Sequence, residues 1–225
     1  MAKRPGRIVV AAGTNGAGKS SLIGEIFAVQ GTAYFNPDAF ARTLIQASTV
    51  VAEANAQAWK LGLEGLRRAI AQNLDYSFET TLGGHTVTAA LHGALAAHRE
   101  VHLWYVGLSS PELHLARVRE RVQRGGHDIP EGDIRRRYTA SLANLVGLMG
   151  HATSVHVFDN SAESADGVPQ SQLVFRMRGR KIAEPSIEVL LATAPEWSKP
   201  VVAAAVRIHT GIPESRPRSA PRKKK

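Results

Sequence analysis

Residues 11–21 read AAGTNGAGKSS, and their flanks decide what this stretch is. Before it, Arg7 to Ala12 is a short apolar run, β-branched at its centre, which predicts a buried strand. After it, Leu22, Ile23, Ile26 and Phe27 recur at helical spacing. Strand, glycine loop and helix form the setting in which Gly13, four residues, Gly18, Lys19 and Ser20 act as a phosphate loop. Glycines let consecutive backbone N–H groups curl round an anion, the lysine reaches the β and γ phosphates, and the serine hydroxyl ligates magnesium. The positive end of the following helix points at the same place. Gly13, Thr14, Asn15, Gly16, Ala17, Gly18, Lys19, Ser20 and Ser21 are thus the expected seat of ATP, with Ser20 as the Mg2+ ligand.

Working outward, strand and helix patterns alternate. TAYFNPD (32–38) reads as a second short strand ending at a polar turn, and a long helical stretch follows over 39–72, with Gly62 and Gly65 as its weak points. LDYSFETT (74–81) and EVHLWYVGL (100–108) read as strands around a helix at 85–99. A helix starting at the Ser-Pro of 110–111, a break at GGHDIPEG (125–132), a helix over 134–149 and the strand SVHVFDN (154–160) complete the pattern. The expectation is an α/β fold of the P-loop kinase type: a parallel five-stranded sheet flanked by helices, with an arginine-bearing helical lid. Beyond Asn160 the signal weakens; 173–182 reads as a strand or hairpin and 186–206 as one or two helices. One domain over 1–207, with its core at 7–160, and a basic tail at 208–225 are expected.

Composition narrows the function classes. With no cysteine, disulfides, thiolate metal sites and a cysteine nucleophile are excluded, which fits a cytoplasmic protein. No apolar run approaches the roughly 20 residues that span a bilayer. Of the formal charge of +9, residues 214–225 carry +5, so most of the basicity is expected to be a solvated tail making at most weak contact with nucleic acid or an anionic surface. Aromatics are 6% of the chain, and no stacking platform for bases is legible. Histidines are scattered without metal-ligand spacing, which speaks against zinc.

In an open parallel sheet, ligands bind at the carboxyl ends of the strands. That rim brings Asp38, after the second predicted strand, and Glu79, closing the third, towards the phosphate loop. A carboxylate at 38 has two readings: acceptor of a proton from an attacking hydroxyl, or N-terminal cap of the next helix. Glu79 either organises the magnesium shell or holds a substrate hydroxyl. Arg117, Arg119, Arg121, Arg124, Arg135, Arg136 and Arg137 surround GGHDIP, where glycines 125 and 126 supply a hinge. Two or three of these seven are expected to close over transferring phosphate, the rest being surface charge. Asp159-Asn160-Ser161 is placed to approach adenine or ribose.

GTNGAGKSS, FNPD, FETT, RVRERVQRGGHDIPEGDIRRRY, SLANL and VFDNS together resemble the zeta-toxin family of P-loop kinases, in particular its short branch often described as predicted ABC-type ATPases or kinases. The resemblance covers about residues 7–160, and GGHDIP is its most specific segment. It implies an ATP- and Mg2+-dependent kinase that phosphorylates a sugar hydroxyl of UDP-N-acetylglucosamine, a toxin held in check by an antitoxin partner. By position it implies Asp38 as the residue activating the acceptor hydroxyl, Glu79 and Thr81 as substrate contacts, and Arg121, Arg124 and Arg136 or Arg137 as phosphate-binding lid residues. The chain departs from the longer toxins in NPD, which replaces an acid-rich motif, in Thr80, which replaces a glycine, and in its shorter length. An ABC-type ATPase would need a glycine-rich signature such as LSGGQ followed by a strand ending in adjacent acids, and the nearest string, GLSSPEL, lacks the glycines. A nucleoside or nucleic-acid kinase rests on the basic balance alone.

Overall fold

A computed structural model describes residues 4–29, 34–47, 50–165 and 167–213, the side chains of 25–29 excepted. Of the basic tail expected over 208–225, residues 208–210 still belong to the last helix and those from Glu214 onward lie outside the described residues, as do the side chains of Ile26 and Phe27.

The core begins in β1 (Arg7–Ala12), whose alternation sends Ile8, Val10 and Ala12 to one face of the sheet and Ala11 to the other. It pairs in parallel with β2 (Tyr76–Thr80) on one side and β3 (Glu100–Gly107) on the other, and β3 pairs in parallel with β4 (Ser154–Glu163). The chain then reverses: β5 (Pro169–Arg178) and β6 (Lys181–Glu184) add antiparallel to β4, giving the order β2-β1-β3-β4-β5-β6. The sheet therefore has six strands where five parallel ones were expected. Of the segment expected as a strand at 32–38, residues 32 and 33 lie outside the described residues and Phe35 makes an isolated bridge to Phe78, while the weak signal beyond Asn160 resolves into the β5–β6 hairpin.

α1 (Lys19–Val29) covers the face bearing Ala11 and Val106. On the opposite face α3 (Val51–Gln72), α4 (His85–Ala96), α6 (Glu131–Met149) and α8 (Lys199–Thr210) bury Leu66, Leu91, Leu145 and Val201 against Val10, Leu103 and Val157. The helical stretch 39–72 is split into α2 (Pro37–Gln46) and α3, not at the glycines. Gly62 and Gly65 stay inside α3 because rings press on them: a Cβ would lie 2.9 Å from Phe35 Cε1 and 2.7 Å from the Tyr76 hydroxyl.

α5 (Pro111–Gln123) opens on its expected cap, Ser110, whose side chain accepts from Leu113 N, with proline in the first turn. After β6, α7 (Ile187–Thr193) and a single 3-10 turn return the chain to the carboxyl end of β3. There the Trp197 ring lies on Gly107 so closely that a Cβ would collide with it, while its Nε1 donates to Asp159 at 3.1 Å. Gly107→Ala is accordingly expected to lower the urea midpoint by the equivalent of about 1–3 kcal/mol. An unchanged midpoint would mean that the indole can relocate.

Candidate functional site

The carboxyl ends of β1 to β4 are brought level by the register, which pairs Ala11 with Glu79 across β1–β2 and Gly107 with Asp159 across β3–β4. The glycine loop sits on this rim. Gly13, Gly16 and Gly18 take φ of +141°, +82° and +85°, which L side chains avoid, and each is also walled in. A Cβ would strike Val106 O of β3 at Gly13, lie 2.7 Å from His114 O of α5 at Gly16, and strike Asn160 Nδ2 of β4 at Gly18. Hydrogen bonds come from the same elements. Buried Asn160 donates to Ala17 O at 2.9 Å, and buried His114 Nδ1 lies 2.8 Å from Asn15 O. Asn160 thus holds the loop backbone, and Asp159 accepts from Trp197 and Ser161. Neither Asn160 nor His114 carries a local sequence signal, because the loop residues they hold are 143 and 99 positions away.

Since Asn15 O can only accept, His114 Nδ1 carries the hydrogen. Burial lowers its pKa from 6.5 to about 4, and burial does the same to His156 in β4. A base whose folded pKa is depressed favours the folded state fully above its unfolded value and loses that contribution as pH falls. The urea midpoint is therefore expected to drop between about pH 6.5 and pH 4, and to drop less in His114→Leu. An identical slope in that variant would remove His114 from the account.

Below the loop lies a polar knot, buried at Lys19 and Glu79. Lys19 Nζ is 3.5 Å from Glu79 Oε1 and donates to Thr14 O at 3.3 Å. The Ser20 hydroxyl donates to Glu79 Oε2 at 2.8 Å, and Asn36 Nδ2 donates to that oxygen and to Ser20 Oγ, both at 3.1 Å. Lys19 and Glu79 are 6% and 7% exposed, so their charges neutralise each other where neither is well hydrated. The donor set offered here, a serine hydroxyl and a carboxylate, is hard oxygen, which suits Mg2+. Among the described residues no group of three or more His, Cys, Asp or Glu could hold a metal by itself.

Asp38 lies in the first turn of α2, 40% exposed, and does not cap it. The cap is Asn36, whose Oδ1 accepts from Ala39 N at 3.0 Å. The Asn-Pro step before a helix was the available signal. Asp38 instead faces the lid: Arg121 Nη1 stands 3.5 Å from its Oδ2, and Arg121 Nη2 donates to His127 O at 3.0 Å. A cavity of about 570 Å³ joins the two halves, lined by Asn15 and Lys19, by Asp38, Glu79 and Thr81, and by Arg136 and Arg137 of α6. Trp59, Leu63 and Phe78 make its apolar wall.

The lid arginines divide as charge pairing dictates. Arg137 reaches the loop, donating to Asn15 Oδ1 at 2.9 Å, and is steadied by Asp133 at 3.1 Å. Arg136 pairs with the other Asp133 oxygen at 3.0 Å and keeps a place on the cavity wall. Arg124 is exposed at the end of α5 and lines no part of the cavity. Arg117 is bound to Glu163, and Arg119 and Arg135 face Glu131.

Among the described residues no helix is long and apolar enough to cross a membrane. No family model matches the chain. Among solved structures, the fold is similar to the AvrRxo1-ORF1:AvrRxo1-ORF2 complex, solved with sulphate ions and with ATP, at a TM-score of 0.57 and 17% identity. The match to the sulphate form covers 86% of this chain and 65% of that one, so the chain spans less than two thirds of that protein. A second similar structure is the PezAT chromosomal toxin-antitoxin system of Streptococcus pneumoniae, at a TM-score of 0.52 and 13% identity over 93% of this chain and 88% of that one. Identities this low speak to the fold alone, which is of the P-loop kinase type. In sequence, an uncharacterized protein of Haemophilus influenzae is 32% identical over 134 residues, covering 56% of this chain and 88% of that protein. This chain belongs to the same family as that Haemophilus influenzae protein.

Proposed function

We propose that the protein is an ATP-dependent small-molecule kinase of the zeta-toxin type, which transfers the γ-phosphate of ATP to a hydroxyl of a nucleotide sugar such as UDP-N-acetylglucosamine. The observation that carries this reading is the single cavity running from Lys19 on the phosphate loop to the carboxylate of Asp38, which is not used as a helix cap. On this reading Asp38 accepts the proton of the acceptor hydroxyl as its oxygen bonds to the γ phosphorus and the bond to ADP breaks. On this reading Lys19, Arg136 and Arg137, which line the cavity, would meet the negative charge that builds up, and Arg121, outside the cavity lining, would act through its contact with Asp38. Mg2+ would be held by Ser20, backed by Glu79, and would neutralise phosphate charge.

The cavity falls within the range of about 300–1,000 Å³ that small-molecule sites occupy. Its wall of Trp59, Leu63 and Phe78 suits an acceptor with an apolar ring surface beside polar groups. The nucleotide sugar itself rests on the motif resemblance. The same resemblance, with the fold shared with a toxin-antitoxin system, supports a toxin acting in the cytoplasm and restrained by an antitoxin partner. Incubating the protein with ATP, Mg2+ and panels of nucleotide sugars, nucleosides and RNA ends, and reading the mass shift of 80 Da that one phosphoryl group adds, on the order of a single HPO3, tests this directly. A shift on a nucleotide sugar supports the proposal; a shift confined to RNA ends would replace it with a nucleic-acid kinase. Growth arrest on expression, lost in Lys19→Ala, separates a toxin from a housekeeping kinase.

A further inference from the structure

Asn36 occupies an unusual place in this site. Its carboxamide is divided: the oxygen accepts from Ala39 N at 3.0 Å and so fixes the start of α2, while the amino group donates to Glu79 Oε2 and Ser20 Oγ at 3.1 Å each. The orientation follows from chemistry, because only the oxygen can take the Ala39 N–H and only the amino group can serve the carboxylate. One end therefore belongs to the helix that carries Asp38 two residues on, and the other to the serine and carboxylate under the phosphate loop. The backbone just before it is pinned as well, since Phe35 N donates to Ser77 O and Glu79 N donates to Phe35 O.

We infer that Asn36 is a positioning residue that sets Asp38 in register with the phosphate and metal side, so that events at Ser20 and Glu79 are transmitted to the first turn of α2. This rests on the kinase reading above. A carboxylate that must meet an acceptor hydroxyl within hydrogen-bond reach tolerates little displacement. No other side chain among the described residues links Ser20 or Glu79 by hydrogen bonds to α2. Were Ser20 to ligate a cation, its hydrogen bond to Glu79 would be altered, and the amino group of Asn36, which donates to both, would feel the change.

Asn36→Ser and Asn36→Asp separate this role from capping. Serine and aspartate cap helices about as well as asparagine, but neither supplies the forked amino donor. Hydrogen-exchange mass spectrometry of α2, with and without Mg2+ and the non-hydrolysable ATP analogue AMP-PNP, gives the readout, beside calorimetric affinities for AMP-PNP with and without Mg2+. In the wild type, Mg·AMP-PNP is expected to slow exchange in the first turn of α2 several-fold. In Asn36→Ser, basal exchange in the first turn of α2 should stay close to wild type, while the unfolding midpoint should fall because Glu79 loses a donor. The slowing should disappear, and the tightening produced by Mg2+ should shrink by about ten-fold, the scale of a hydrogen bond to a charged group. Wild-type slowing and wild-type Mg2+ dependence in both variants would leave Asn36 a cap and overturn the inference. A wild-type protein that does not bind Mg·AMP-PNP would overturn the kinase reading and this inference with it, an outcome distinct from binding without coupling.

Discussion

Asp38→Asn is expected to reduce phosphoryl transfer by about a hundred- to ten-thousand-fold, the range spanned by a positioned general base, while ATP affinity stays within about two-fold of wild type. The reason is position. Asp38 lies across the cavity from Lys19, and its contact in the fold is an ion pair with Arg121 in which both side chains are more than a third exposed. Such a pair contributes about 0–1 kcal/mol, so the amide should not unfold the protein, and Asn36 keeps the helix capped. The loss should therefore fall on kcat. Steady-state rates with the acceptor found in the screen, beside calorimetric ATP affinity, check it. Turnover at the wild-type level would show that another group takes the proton.

Lys19→Ala is expected to weaken ATP binding by about a hundred-fold or more and to abolish turnover, since it removes a cation aimed at developing charge. It should also lower stability. Glu79 would be left 7% exposed with no cation, and breaking a buried pair by removing one partner costs about 3–5 kcal/mol. The double variant Lys19→Ala with Glu79→Gln distinguishes the two effects: neutralising the orphaned carboxylate should restore much of the urea midpoint and none of the ATP affinity. If the double variant binds ATP like the wild type, Lys19 serves only to neutralise Glu79.

Residues 7–29 were legible because their signals are local. An apolar β-branched run, three glycines and a helical repeat each declare themselves within a few positions, and Ser110-Pro111 marks the start of α5 in the same way. The misread segments depend on distant partners. Gly62 and Gly65 looked like helix breaks because sequence shows the missing side chain and not the Phe35 and Tyr76 rings that require it to be missing. Tyr34 to Asn36 has strand composition, yet at the edge beside β2 it makes only the Phe35 bridge before Pro37 starts a helix.

The site divides in the same way. Lys19, Asp38, Glu79 and Arg136 were singled out by residue type, Asp38 and Glu79 also by their expected place on the strand rim, and one cavity is lined by all four. Which arginine meets the phosphate loop was not legible, because Arg135, Arg136 and Arg137 differ only by 100° of helix rotation each, about the turn of one residue. The fold turns Arg137 to Asn15 and leaves Arg124 outside. Asn36, His114 and Asn160 carry amides and an imidazole that serve many purposes, and nothing short of the tertiary contacts names theirs.

Those contacts bear on how the loop meets its ligand. Gly13, Gly16 and Gly18 are boxed in by three different elements, β3, α5 and β4, and the backbone between them is tied to His114 and Asn160. The curl of the loop is thus set when the chain folds, not when a phosphate arrives. Binding then surrenders little further backbone freedom, and a preformed receptor of this kind should associate with a small entropic penalty and almost no loop rearrangement.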